Sequence, residues 1–263
     1  MADFNALAKT LKKLHVPGKP LILANVYDIL FAQAAASLST CKAIATASYA
    51  VARANGTEDD AMTMETNLDA VSGIGKVAVA AKKPLTVDIQ DGYSTKLEGA
   101  IKGLIERGAV GCNLEDCNKD TQQMYPLETT TQQIKQTLKV ANSLSVSDFV
   151  VNASCDTLIP GGSLSEVITR GKLYLAAGAT TVFVWGSSQR GLHNEEVKQL
   201  IQAFDGRLSV ALRMSGKDTL TVRELIEIGL VRVSVGPQIQ FQAIDAFKKE
   251  AEKLLAQEAY TTS

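Results

Sequence analysis

The sequence predicts an α/β protein folded as a single-domain (β/α)8 TIM barrel, and three observations carry that expectation. Eight short apolar runs alternate with helical patterns along the chain. The runs are almost wholly apolar rather than alternating, as parallel strands buried on both faces are. Several of the intervening helical stretches end in glycine, the residue that commonly lies just past a helix C-terminus. A doubly wound open sheet is the alternative architecture.

The elements follow in order. The N-terminal MADFNALAKTLKKL reads as a short amphipathic helix rather than a signal peptide. Strands are expected at LILANVYD (21–28), KAIATAS (42–48), PLTVDIQDG (84–92) and VGCNLED (110–116). They continue at FVVNASCD (149–156), TTVFVWG (180–186), LSVALR (208–213) and VRVSVGP (231–237). Helical stretches between them include KLEGAIKGLIERG, SEVITRGKLYLAAG and TVRELIEIG, and QIQFQAIDAFKKEAEKLLAQ closes the chain. One domain over residues 1–263 is expected, with its barrel core at about 20–255.

Composition narrows the function classes. The 263 residues are 46% hydrophobic and 21% charged, with a formal net charge of −1. No basic stripe points to a nucleic-acid partner, and no apolar run is long enough for a membrane span. Cysteines 41, 112, 117 and 155 lack metal-ligand spacing. They suit a reducing compartment such as the cytoplasm, with buried thiols.

Barrels of this kind carry their active sites at the C-terminal ends of the strands. Those ends hold Tyr27 and Asp28, Ser48, Asp88 to Asp91, Glu115 and Asp116, Asp156, Trp185 and Arg213. Acids converging on one mouth repel one another unless a divalent cation neutralises them or some stay protonated. With no His or Cys among them, oxygen ligation points to Mg²⁺ or Mn²⁺. His15 and His193 lie outside every strand end and are expected at the surface.

TVDIQDGYS followed by GAVGCNLEDC resembles the isocitrate lyase / phosphoenolpyruvate mutase superfamily. LILANVYDILFAQ, KAIATASYAVARANGTEDD, FVVNASCD and IGLVRVSVGP extend the likeness over residues 20–255, the last resembling the phosphoenolpyruvate-phosphonomutase-like branch. The resemblance implies a (β/α)8 barrel whose last helix is exchanged between protomers of a dimer or tetramer. It also implies Mg²⁺ and cleavage or formation of a C–C or P–C bond in a small 2-oxo or 2-hydroxy acid, through an enolate-like intermediate. Carried over by position, Asp88 matches the acid nearest the metal, Glu115 an acid holding a metal-bound water, and Asp59 a further acid of that set. Ser48 and Tyr49 lie where backbone amides cradle the substrate carboxylate.

The departures from the family pattern bear on charge. Gln90 stands where the family has a second acid, so Mg²⁺ is expected to be held more weakly or lost. Ser154 stands where the family has the arginine that binds the substrate's carboxylate or phosphoryl group. Arg213 or Arg190 is the expected replacement, because Ser209, Ala211 and Arg213 share one strand face and Arg190 follows the sixth strand. Tyr27, Tyr49 and Tyr93 are candidate proton donors. Cys117 is a weaker candidate nucleophile beside Lys119, and Trp185 suits a more apolar pocket. The leading expectation is a Mg²⁺-dependent lyase acting on a small carboxylic acid. The alternative keeps the barrel but has altered or metal-free chemistry on a larger, less charged substrate, or only binds one.

Overall fold

The structure is a computed structural model and describes residues 3–212 and 220–256. Helix α1 (Phe4–Lys13) starts at Asp3, whose carboxylate accepts the Ala6 N–H at 2.9 Å. Strands β1 (Leu21–Leu23) and β2 (Asn25–Val26) follow, then α2 (Ile29–Ser37), β3 (Ile44–Thr46), α3 (Ser48–Ala54) and α4 (Met64–Ala80). Strand β4 (Leu85–Asp88) leads through a 3₁₀ turn at Ser94–Lys96 into α5 (Leu97–Glu106), β5 (Ala109–Leu114) and α6 (Leu127–Ser143). The pattern repeats as β6 (Val150–Cys155), α7 (Leu164–Ala176), β7 (Thr181–Val184), the short α8 (Ser187–Arg190), α9 (Asn194–Ala203) and β8 (Leu208–Ala211). Helix α10 (Val222–Glu227), β9 (Arg232–Ser234) and α11 (Gln238–Leu255) complete it.

All strand pairs are parallel, in the order β1-β9-β8-β7-β6-β5-β4-β3-β2. The two ends of that order are separated in the chain by Ala24 alone, so the sheet closes on itself as the expected barrel. The first predicted strand is observed as two. Leu21–Leu23 pairs with β9 and Asn25–Val26 with β3, so one strand's two halves join the two sides of the seam. Asn25 fastens it: its Nδ2 donates to Thr46 O at 2.8 Å and its Oδ1 accepts the Val235 and Gly236 N–H groups at 3.0 Å.

Every predicted strand is present, and Gly108, Gly178 and Gly229 follow their helices with left-handed φ of 90°, 110° and 91°. Helix α1 closes the N-terminal end of the barrel with Ala8 and Leu11 fully buried. Gly111 permits this, since a Cβ there would stand 2.9 Å from Leu11 Cδ2 and from Val150 O. Helix α11 buries Gln240 alone among its residues and leaves Phe247, Leu254 and Leu255 exposed. Ile22, on the outer face of β1, is likewise 47% exposed.

Candidate functional site

Strand β4 ends at Asp88, where the chain turns through Gln90 at a left-handed φ of 51°. The Ser48 N–H donates to Asp88 Oδ2 at 3.1 Å and the Gln90 N–H to Oδ1 at 3.3 Å. Gln90 reaches from this turn to the loop after α3, donating from Nε2 to Asp59 O at 2.8 Å and to Asp59 Oδ1 at 3.1 Å. The Glu115 N–H donates to Gln90 O at 2.8 Å, which ties the end of β5 to the same turn. Asn67 of α4 donates to Asp88 O and to the Tyr93 hydroxyl. The structure thus brings together the four predicted metal-site residues. Asp59, Asp88 and Glu115 are half-buried, while Gln90 is buried with its Oε1 unpartnered.

Their charges oppose one another. Burial, then repulsion from Asp88, pushes the Asp59 carboxyl up to about 6. Burial raises Asp88 against the hydrogen bonds from Ser48 and Gln90 and the charge of Arg232. Glu115 is raised well above the carboxylate range by burial and by Asp88, Asp156 and Asp59. Burial and Asp116 push Asp156 up to about 8.

This is the chemistry of a cation site: surplus acid partly open to the mouth and an orphaned amide oxygen beside it. Among the described residues no three His, Cys, Asp or Glu side chains converge as a ready ligand cage. Mg²⁺ does not require one, because it keeps several waters and takes only one or two carboxylates. The donor chemistry of Asp59, Asp88, Glu115 and Gln90 fits hydrated Mg²⁺, which these residues would hold.

A pH dependence follows. Asp59 and Asp156 hold protons more readily folded than unfolded, so their contribution to stability is complete below the unfolded carboxylate range. It is lost as pH rises through about 6 and about 8. In chelator, Tm is expected to fall between pH 5 and 8, and Mg²⁺ is expected to restore it at the upper end. Thermal melts with and without Mg²⁺ check this, and a Tm that rises with pH in chelator contradicts it.

Other expected site residues are placed differently. The Ser48 N–H is engaged by Asp88 rather than left for a substrate carboxylate. The Tyr49 ring meets Phe241 of α11 edge-on at 6.1 Å, and Arg53 lies 5.7 Å from its centroid. Ser154 points its hydroxyl to Asp156 Oδ1 at 2.7 Å. Arg190 is not a free cation, because its Nη1 donates to Glu196 Oε2 at 3.0 Å and to Gly191 O at 2.8 Å. Arg213 lies outside the described residues. Trp185, 39% exposed, borders a cavity of about 50 Å³ with Val184, Leu192, Val197, Val210 and Leu225, and none of the clustered acids lines it. Asp28 caps α2 by accepting the Phe31 N–H at 2.9 Å.

Asp91 and Asp116 are fully buried and structural in their contacts. Asp91 accepts the Tyr93 N–H and the Tyr125 hydroxyl. Asp116 accepts the Asp156 N–H, the Tyr174 hydroxyl and Arg170. Burial, reinforced by the neighbouring acids, pushes the Cys117 thiol up to about 11, which disfavours a thiolate nucleophile. Cys112 and Cys155 are buried, as expected for packing thiols. His193 is exposed as expected, whereas His15 is half-buried. Its Nε2 is buried and unpartnered, and burial followed by the Arg232 charge lowers it to about 3.

Sequence reasoning missed Arg232, Asn113 and Asn67. The available signal for Arg232 was parity: it shares an inward-facing register with Ser209 and lies two residues before Ser234.

A closed parallel barrel with half-buried acids at its C-terminal mouth belongs to the class of α/β barrels that carry their sites at the strand ends. A model of the phosphoenolpyruvate phosphomutase family matches residues 11–255, and the chain belongs to that family, within the isocitrate lyase / phosphoenolpyruvate mutase superfamily. That superfamily includes phosphoenolpyruvate phosphomutases and lyases. The uncharacterized protein Rv1998c of Mycobacterium tuberculosis H37Rv is 28% identical over 233 residues, 85% of this chain and 80% of its own. The crystal structure of a candidate phosphonomutase from Burkholderia cenocepacia J2315 superposes with a TM-score of 0.84 at 28% identity, covering 94% of this chain and 99% of that one. The structure of 2,3-dimethylmalate lyase shares the fold, with a TM-score of 0.83 at 21% identity, over 98% of this chain and 90% of that one.

Proposed function

We propose that the protein is a Mg²⁺-dependent lyase acting on a C–C bond of a small 2-oxo or 2-hydroxy acid. The observation that carries the reading is that the Gln90 turn links all three acids, through its Nε2 to Asp59, its N–H to Asp88 and its O to the Glu115 N–H, while its Oε1 is left unpartnered. When bound, the cation supplies Lewis-acid stabilisation of an enolate-like oxyanion. The chain's part is to hold Asp88 in place through the Ser48 and Gln90 N–H groups, with Asp59 and Glu115 beside it. Turnover of oxaloacetate, a 2-alkylmalate and 2-methylisocitrate, with Mg²⁺ and with chelator, tests the reading. Activity that chelator abolishes supports it, and activity indifferent to chelator overturns it.

One observation favours a second reading, a less charged substrate. Ser154 is neutral and donates to Asp156, and Arg190 is paired with Glu196, so neither offers a free cation to a second substrate carboxylate. A preference for monocarboxylic acids across the same panel would support it.

Gln90→Glu is expected to tighten Mg²⁺ by about tenfold, since it restores a charge at the cluster. Calorimetric titration measures this, and unchanged affinity would show that position 90 does not act on the ion.

We also propose a homodimer or homotetramer in the cytoplasm. The exposed apolar residues of α11 and the uncovered Ile22 support exchange of the last helix, and four free cysteines support a reducing compartment. Light scattering reads the assembly, and a monomer contradicts it.

A further inference from the structure

Arg232 heads the largest wholly buried side chains of the protein and is 2% exposed. Register sets it between Leu21 and Ser209 on the barrel interior. Its Nη2 crosses the barrel to donate to Asn113 Oδ1 at 3.0 Å. Asn113 is the register partner of Asp88, so the guanidinium is linked to the layer at which the acid mouth begins. A hydrogen-bonded chain steadies that layer: Thr181 Oγ1 donates to Asn152 Oδ1 at 2.6 Å, and Asn152 Nδ2 donates to Asn113 Oδ1 at 2.9 Å. Arg232 Nε and Nη1 have no partner, and neither do Ser209 Oγ and Thr86 Oγ1. Among the described residues no carboxylate lies within ion-pair distance of Arg232, an arrangement that is costly unless the charge serves something nearby.

We propose that Arg232 is the fixed counter-charge of the acid mouth, a positioning residue that sets how strongly Asp88 and its neighbours attract a divalent cation. Relative to the family pattern, Gln90 removes a negative charge and Ser154 removes a positive one from the mouth, and Arg232 supplies a positive charge from beneath. Asp88 is the carboxylate whose charge acts on it. The inference rests on the metal reading above. A fixed positive charge one barrel layer below a divalent ion weakens its binding, on the order of tenfold even at a water-like effective dielectric of about 80.

Calorimetric titration of Mg²⁺ into wild type, Arg232→Gln and Arg232→Lys, each checked for native circular dichroism, tests the inference. Arg232→Gln keeps an N–H donor for Asn113 and is expected to tighten Mg²⁺ about tenfold, while Arg232→Lys keeps the charge and is expected to stay near wild type. Asn113→Asp, which pairs the guanidinium in place, is expected to tighten Mg²⁺ as well, and it carries the test if Arg232→Gln does not fold. Unchanged or weaker binding in folded Arg232→Gln, or equal shifts in the Gln and Lys variants, overturns the role of Arg232 while leaving the metal reading standing. Unchanged affinity in Asn113→Asp does the same. Absence of Mg²⁺ binding in all of these proteins overturns both.

Discussion

Asp88→Asn is expected to abolish measurable Mg²⁺ binding and to lower kcat/KM about a thousandfold, on the order of 4 kcal/mol of transition-state stabilisation. The replacement is isosteric and keeps one oxygen for the Ser48 or Gln90 N–H, so the turn after β4 is expected to survive. What it removes is the charge at the position where the acids meet. Glu115→Gln, by comparison, removes a half-buried acid that shares no hydrogen bond with Asp88 and is expected to weaken binding less. Calorimetry and steady-state kinetics on the folded variant separate the cases. Equal Mg²⁺ affinity in wild type and Asp88→Asn would mean that the mouth is not a metal site.

Arg170→Met is expected to cost about 3–5 kcal/mol of stability, the usual penalty for leaving a buried carboxylate without its cation. Asp116 is fully buried, and its Oδ2 accepts the Tyr174 hydroxyl at 2.5 Å and Arg170 Nη1 at 3.4 Å. Burial raises this carboxyl, and the Asp156 N–H, Tyr174 and Arg170 oppose the rise. The guanidinium also holds Tyr125 O through Nη1 and Nη2, each at 3.2 Å, while the Tyr125 hydroxyl donates to Asp91 Oδ2 at 2.8 Å. One side chain therefore ties α7 to the loop between β5 and α6 that borders the mouth. Urea denaturation measures the loss, and a change under 1 kcal/mol would show that Tyr174 and the Asp156 N–H suffice for Asp116.

The barrel was legible in the sequence because parallel strands covered on both faces leave apolar runs, and helices that end in glycine punctuate them. The break at Ala24 was not, because it depends on which neighbours the two halves of the first strand meet. At the mouth, Asp88, Gln90 and Glu115 were readable as strand ends, and Asp59 through the family resemblance. Partner choice was less readable. Arg190 pairs with Glu196 across a turn, and Tyr49 faces a helix nearly two hundred residues later in the chain, relations that no short-range period encodes. Asp91 lies within the most informative stretch yet serves Tyr93 and Tyr125, because the left-handed turn at Gln90 sends successive side chains to different sides. Arg232 was overlooked because it opens an otherwise apolar strand, where a cation reads as a surface residue until register turns it inward.

The central claim is that the acid mouth of the barrel binds a divalent cation at Asp88. Anomalous diffraction from crystals soaked in Mn²⁺ tests it most directly. The account predicts one strong peak within coordination distance of an Asp88 carboxylate oxygen, bordered by Asp59, Gln90 and Glu115. A Mn²⁺-soaked crystal with no peak at Asp88, or with its strongest peak elsewhere on the protein, would contradict it.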